Sequence, residues 1–397
     1  MYQNCCKKCG SIDLHTEVKG SNTGLYCNDC GAWVKWIGKD KNSNLFKAQS
    51  LDELLQTCPK NQIIGDNLVR AWSKINSPKY KKIVCSISGG SDSDVMLDIV
   101  WRCDKDNKVD YVWFDTGLEY QATKDHLKYL ENKYGIKIKP YRAIKPIPLT
   151  CKQYGQPFLS KNVSKYIAGL QRHNFKWEDE SYEELQKKYP NCDSYLKWWC
   201  NKNTIKSWTV GYNKWLKEFL IENPPTFYTS SKCCDYAKKM VAHKLISEND
   251  YDLNIVGVRK SEGGIRATSY KTCFNENASG CDDYRPLFWY KNEDKKCYVE
   301  AYGIEHSKCY TIYGFVRTGC VGCPFTQDIE NDLAIIEKYE PKLYKAVMNV
   351  FGDSYEYTRA YRSFCEKMDK KYGSYSKYLA KNADKSEVLM LANGLVR

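Results

Sequence analysis

IVCSISGGSDSDVMLDIV, running from Ile83 to Val100, places a short β-branched run directly before a glycine-serine turn and an amphipathic pattern. Ile83 to Ile87 is the kind of run expected of a strand buried on both faces in a parallel sheet. Val95, Met96, Ile99 and Val100 share one face of a helix expected to begin near Asp92. Between the two lie Ser88, Gly89, Gly90, Ser91, Asp92 and Ser93. Two glycines let backbone amides approach an anion, the serine hydroxyls add donors, and a helix N-terminus contributes partial positive charge. The segment has no GxxxxGK(S/T) pattern, so a Walker-type phosphate loop is not indicated.

The chain continues as VDYVWFDTGLEYQATKDHLKYLENKYGIKI, read as strand (Val109 to Phe114), turn (Asp115, Thr116, Gly117), helix (about Tyr120 to Tyr134) and strand. Ligands of open parallel sheets sit at the carboxyl ends of strands, so this turn is expected beside the phosphate loop. A further apolar run, Leu253 to Val258, ends in Arg259, Lys260, Ser261 and Glu262 with Arg266 close behind. These supply fixed cations for phosphate or sulfate oxygens. Asp92 offers a carboxylate for a magnesium ion, which needs one or two such ligands when phosphates are present. The fold class implied is α/β, a Rossmann-like parallel sheet with appended elements.

At 397 residues the chain is long enough for two or three domains. With 42% apolar residues, 32 Tyr and 11 Trp it does not read as disordered. The N-terminus MYQNCCKKCG lacks the apolar core of a signal peptide, and nowhere do eighteen apolar residues run together, so a cytoplasmic protein with no membrane segment is expected. Twenty cysteines in a reducing compartment point to metal or redox groups rather than a disulfide framework. A formal charge of +13 favours polyanionic partners, tRNA or DNA among them, although a lysine-rich solvated surface produces the same number.

Cys6 and Cys9, then Cys27 and Cys30, form two CxxC pairs separated by seventeen residues. This is the four-cysteine zinc spacing, each pair aiming two thiolates at one tetrahedral ion. Gly10 and Gly31 follow the pairs, where a knuckle turn needs left-handed backbone. Cys5 is spare and able to replace Cys6. Bound Zn2+ would supply folding energy to a segment with little core; Trp33, Lys35 and Trp36 offer it a route to nucleic acid. The expected division is a zinc ribbon over 1–48, a linker helix over 49–78, a nucleotide-binding domain over 79–330 with a helical insertion at about 160–223, and a helical region over 331–397.

A second set comprises the adjacent Cys233 and Cys234 and the CxxC pair Cys320 and Cys323. A vicinal pair suits a zinc ribbon poorly, whereas a cubane iron-sulfur cluster accepts a vicinal pair together with a CxxC turn. In order, the chain presents SGGxDS, DTGxE, CC, GVRxxE and RTGCxGCP between Ser88 and Pro324. The first resembles the pyrophosphate (PP) loop of the adenine-nucleotide alpha-hydrolase superfamily, and the full series resembles the phosphoadenosine phosphosulfate (PAPS) reductase family in its broad sense. That resemblance implies a 4Fe-4S cluster on Cys233, Cys234, Cys320 and Cys323, and nucleotide phosphates held by Ser88 to Ser93. It also implies a site lined by Asp115, Thr116, Gly117, Arg259, Arg266 and Arg317, with Asp92, Ser93 and Arg259 nearest the chemistry.

Two branches of the family bear on function. Sulfonucleotide reductases use a C-terminal cysteine in an ECGIH or ECGLH motif to attack adenylyl sulfate. The other branch, similar to the sulfur-activating component of DNA phosphorothioation systems, splits ATP to AMP and pyrophosphate. After Cys323 only Cys365 remains, in SFCEKMDKKYG, without the reductase motif's glycine and histidine. Position 91, often lysine in this family's loop, is serine. The leading expectation is ATP cleavage at the alpha-phosphate for sulfur transfer to a nucleic acid or carrier, with Mg2+ and a sulfur donor such as a cysteine desulfurase. Two alternatives stand beside it: a reductase using Cys365 on an adenylyl sulfate nucleotide, and a nucleic-acid-binding protein with a non-catalytic nucleotide site.

Cys273, Cys281, Cys297 and Cys309 read as buried or incidental thiols, with Cys309 and Cys273 as candidates for a sulfur relay. In the insertion, Trp198, Trp199, Trp208 and Trp215 interleave with Lys197, Lys202, Lys206 and Lys214. Such interleaving suits stacking of unpaired bases, and equally suits a helical core. The five histidines have neither metal nor triad spacing, so a serine or histidine hydrolase is not supported.

Overall fold

The computed structural model describes residues 6–11, 14–19, 22–37, 45–263, 269–278, 280–376 and 378. Three antiparallel strands, β1 (Leu14–Lys19), β2 (Asn22–Cys27) and β3 (Trp33–Ile37), form the N-terminal sheet. The main sheet contains β4 (Ile83–Ser86), β5 (Val109–Asp115), β6 (Ile138–Arg142), β7 (Leu253–Ile255), β8 (Phe274–Asn275) and β9 (Asp282–Tyr284). Its order is β6-β5-β4-β7-β9-β8. β4 pairs in parallel with β5 and β7, and β7 in parallel with β9, whereas the edge pair β8–β9 is antiparallel. This is the expected α/β sheet.

Strand order explains where a ligand belongs. From β4 the chain moves outward through β5 and β6, then returns on the other side of β4 with β7. The carboxyl end of β4 is therefore the point where strand order reverses, and it opens directly into Ser88–Ser93. The helix that follows spans Ser91–Cys103, one residue earlier than the sequence pattern suggests, with Gly90 as its N-cap. The run Leu253 to Val258 is strand only as far as Ile255; Val256 still donates to the Tyr284 carbonyl at 3.0 Å.

The chain forms two compact units. One comprises Met1–Trp113, Asp125–Lys139 and Asn249–Ser307. Its core joins Ile83, Cys85, Val95, Met96, Ile99 and Val100 to Leu253, Ile255 and Tyr298. The stretch 49–78, expected as a linker helix, holds two helices, Leu51–Gln56 and Gln62–Ile75, whose Leu54, Ile64, Leu68, Ala71 and Ile75 are fully buried in this core. Burying five such side chains is a packing role, not that of a spacer.

The other unit comprises Phe114–Lys124, Pro140–Glu248 and Lys308–Arg397. The insertion folds as helices Lys161–Arg172, Tyr182–Lys188, Asp193–Trp199 and Leu216–Glu222, and Pro190 does divide the pattern, opening a single 3-10 turn. Trp198, Trp199 and Trp215 are completely buried, with Trp198 stacked on Tyr166 at 5.2 Å. Those three are core, which removes them as a platform for bases; Trp208 alone of the four is half exposed. Helices Ile329–Tyr339 and Pro341–Tyr372 follow. Among the described residues no helix is long and apolar enough to cross a membrane.

Candidate functional site

The loop after β4 is bonded to itself through its own serines. Ser93, almost fully buried, accepts the Ser88 amide at 2.9 Å, and the Ser88 hydroxyl accepts the Gly90 amide at 3.3 Å. Gly89 sits at φ 69°, a conformation that costs other residues about 1 kcal/mol or more. No side chain caps the helix at Gly90, so its first-turn amides keep their field for an external anion.

Asp92 binds two cations. Its Oδ2 lies 2.9 Å from Arg259 Nε and its Oδ1 2.6 Å from Lys295 Nζ. Burial opposes the Asp92 charge, but Lys295 and then Arg259 outweigh it and hold the carboxyl below its ordinary pKa. Asp92, expected as a magnesium ligand, forms ion pairs through both oxygens with side chains of this unit. Arg259 also donates to Ser261 Oγ at 3.1 Å and Asn292 Oδ1 at 3.0 Å, so its guanidinium is fixed on three partners. Lys295, which the sequence reading missed, donates to Ser91 Oγ at 2.6 Å.

One turn further, the fully buried Asp94 joins His126 Nε2 at 2.9 Å and His306 Nδ1 at 2.8 Å. Asp98 then accepts from Arg102 at 2.6 and 3.2 Å, Tyr134 at 3.0 Å and Tyr298 at 2.7 Å. Three acidic residues on one helix thus anchor the segments around it.

Asp115, Thr116, Gly117 and Arg317 belong to the second unit. The Gly117 amide donates to Asp115 Oδ1 at 3.0 Å, and buried Thr116 donates to Glu119 at 2.6 Å. Arg317 is exposed, and Arg266 lies outside the described residues.

The same unit holds the second cysteine set. Cys233 interacts with Cys234 and also with Cys151, a fifth thiol on the helix Ile147–Tyr154 that spacing did not reveal. Cys320 and Cys323 interact with each other and with Cys234, and Cys320 with Thr116 and Lys238. Burial and then Cys320 push the Cys323 thiol up to about 12. Burial is the largest influence on both thiols, yet each keeps some accessible surface. These four cysteines are near enough to interact, and a vicinal pair with a CxxC turn is a donor set that a cubane cluster accepts. Gly322, at φ 60°, is pressed against Tyr355, which donates to its carbonyl.

In the ribbon, the sulfurs of Cys6, Cys9, Cys27 and Cys30 all lie within 4.8 Å of one another. Cys6 and Cys30 are 3.5 Å apart, as are Cys9 and Cys27, close to the tetrahedral edge of about 3.8 Å set by zinc–sulfur bonds of about 2.3 Å. The knuckles match: Gly10 donates to Cys6 and Gly31 to Cys27 across left-handed glycines at φ 75° and 67°. These residues fit one structural zinc. Trp33 is half exposed; the side chains of Lys35 and Trp36, like Cys5, fall outside the described set.

With this geometry in hand, the sequence profile of the phosphoadenosine phosphosulfate reductase domain family matches residues 82–211 and 171–326. The chain belongs to that family. An uncharacterized protein of Methanocaldococcus jannaschii is 26% identical over 300 residues, 74% of this chain and 47% of that one, so the match spans about half of the relative's length. Among solved structures, PAPS reductase from Candida auris is 15% identical, covering 69% of this chain and 97% of that one, with a TM-score of 0.34. The U34-tRNA thiolase NcsA from Methanococcus maripaludis, solved with its 4Fe-4S cluster, is 13% identical, covering 90% and 88%, with a TM-score of 0.33.

Within this PAPS reductase domain, Cys309 and Cys281 are buried, Cys309 beside Thr123 at 3.7 Å. Cys365 lies inside the helix Pro341–Tyr372, packed with the insertion core, 3.7 Å from the Lys214 carbonyl. Burial raises its pKa.

Proposed function

We propose that this chain binds ATP at Ser88–Ser93 and cleaves it at the alpha-phosphate in the service of sulfur transfer, with a nucleic acid as the acceptor class. The observation that carries the reading is the uncapped helix N-terminus at the sheet's reversal point, flanked by Arg259 and Lys295 on the Asp92 carboxylate. In the reaction an acceptor oxygen attacks the alpha-phosphorus, the bond to the bridging oxygen breaks, and pyrophosphate leaves with the electron pair. Loop amides and the two cations stabilise charge growing on the departing pyrophosphate. Ser93 keeps the loop in shape by holding the Ser88 amide. Magnesium would enter with the nucleotide and add further neutralisation.

Cys233, Cys234, Cys320 and Cys323 would hold the 4Fe-4S cluster, which when bound supplies a sulfur- or electron-handling centre. Cys6, Cys9, Cys27 and Cys30 would hold zinc as a staple. Family membership and a charge of +13 support an anionic nucleotide and a polyanionic acceptor. The position of Cys365 favours this reading over the reductase: its thiol sits mid-helix with a raised pKa, whereas a nucleophile needs a mobile thiolate.

The test is pyrophosphate release from ATP by anaerobically purified protein with magnesium, with and without tRNA or DNA, beside an Asp92→Ala, Ser93→Ala double variant. Release that the variant abolishes, stimulated by one nucleic acid, is the expected result. Absence of release, together with sulfite formation from adenylyl sulfate, would transfer the assignment to the reductase.

A further inference from the structure

The loop itself carries no cation. Ser88 to Ser93 contributes two glycines, three serines and one aspartate, so its only formal charge is negative. An anion site built on such a loop must import its positive charge, and the structure shows from where. Lys295 lies about 200 residues away in sequence, on the helix Asn292–Tyr302, yet its ammonium sits 2.6 Å from both Ser91 Oγ and Asp92 Oδ1. An ammonium has three N–H donors. Among the described residues it donates to Ser91 Oγ and forms an ion pair with Asp92 Oδ1, which leaves donor capacity for an incoming oxygen. Lys295 is mostly buried, with 16% of its side chain accessible.

Its placement is enforced. Tyr298, one turn on and on the same helix face, is fully buried and bonded to Asp98 of the loop's own helix at 2.7 Å. Asn292, one turn back, receives Arg259. The helix is thus registered against the loop on both sides of Lys295. The three charged side chains sum to one net positive: Asp92 subtracts one, Arg259 and Lys295 add two.

We propose that Lys295 is the phosphate-binding lysine of this loop, presented in trans at the Ser91 position and directed at the terminal phosphates rather than the nucleoside. Asp92 is its positioning partner, holding Lys295 and Arg259 apart at a fixed spacing. This deepens the nucleotide reading above and rests on it for the identity of the anion, although inorganic pyrophosphate probes the contact alone.

The experiment compares Lys295→Ala, Lys295→Arg and the exchange variant Ser91→Lys with Lys295→Ala. Binding of ATP, pyrophosphate and AMP is measured, with thermal unfolding of each variant. Loss of one charge-assisted contact predicts about 10- to 100-fold weaker binding of ATP and pyrophosphate by Lys295→Ala, with AMP changed by less than about 3-fold. Lys295→Arg should retain part of the affinity, and the exchange variant should recover most of it. A purely structural lysine would instead weaken all three ligands equally, lower the unfolding midpoint and gain nothing from the exchange. Equal pyrophosphate affinity in wild type and Lys295→Ala overturns the proposal, as does wild type that binds no pyrophosphate at all. Lysine-dependent pyrophosphate binding without ATP cleavage leaves the proposal standing and removes the catalytic reading instead.

Discussion

Tyr298 Oη donates to Asp98 Oδ2 at 2.7 Å, both groups buried beyond reach of water, and this bond sets the register of two helices about 200 residues apart in sequence. Tyr298→Phe keeps the ring and deletes the donor. Asp98 retains Arg102 and Tyr134, so the expected loss is about 2 kcal/mol of stability, measured by denaturant unfolding with an unchanged m-value.

Asp94 gives a pH dependence. Burial alone would lift its pKa, but the bonds from His126 and His306 outweigh burial and leave it below the ordinary value. A depressed folded pKa means that the stabilisation is complete above about pH 4 and is lost as pH falls through the folded value. Asp94→Asn should cost about 3 kcal/mol at neutral pH and flatten this acid limb in urea titrations from about pH 6 to 3.

The ribbon should depend on metal. Chelation of the bound ion, or Cys27→Ser, is expected to expose the strand amides of Leu14–Lys19 and Asn22–Cys27 to rapid hydrogen exchange. Protection of Ile83–Ser86, whose ladder is separate, should remain.

Gly322→Ala should impair iron loading. Its backbone stands at φ 60° and an added Cβ would lie 2.6 Å from Tyr355 Oη and 2.9 Å from Val347 Cβ, so the turn between Cys320 and Cys323 must shift. Iron per chain after anaerobic reconstitution should fall well below wild type.

Trp198→Ala should destabilise by about 3–5 kcal/mol, the cost of an aromatic cavity in a packed core. Trp208→Ala, at a half-exposed position, should change stability by less than about 1 kcal/mol. Equal effects of the two would refute the burial difference.

The strand, glycine turn and helix from Ile83 to Cys103 were legible because each obeys local rules: β-branching, left-handed glycine and amphipathic spacing. The four-cysteine group of the ribbon was legible because a knuckle fixes its two cysteines within four residues. Lys295 was not, since nothing in KNEDKK separates a lysine tied to Asp92 from its solvated neighbour Lys296. Cys151 was hidden for the same reason, joining Cys233 only through tertiary packing. The tryptophans of the insertion were ambiguous because helical spacing is shared by a core face and a stacking face; burial decided for three of them.

The path of the chain has a practical consequence for assigning activity. It passes between the two units at Trp113–Phe114, Lys124–Asp125, Lys139–Pro140, Glu248–Asn249 and Ser307–Lys308, twice within a strand of the main sheet. Neither unit is an uninterrupted polypeptide, so no truncation can release either one whole. Deletion mapping, the usual way to divide labour in a multi-part protein, would report misfolding whichever end was trimmed back past these junctions. Dissection here has to proceed by single side chains.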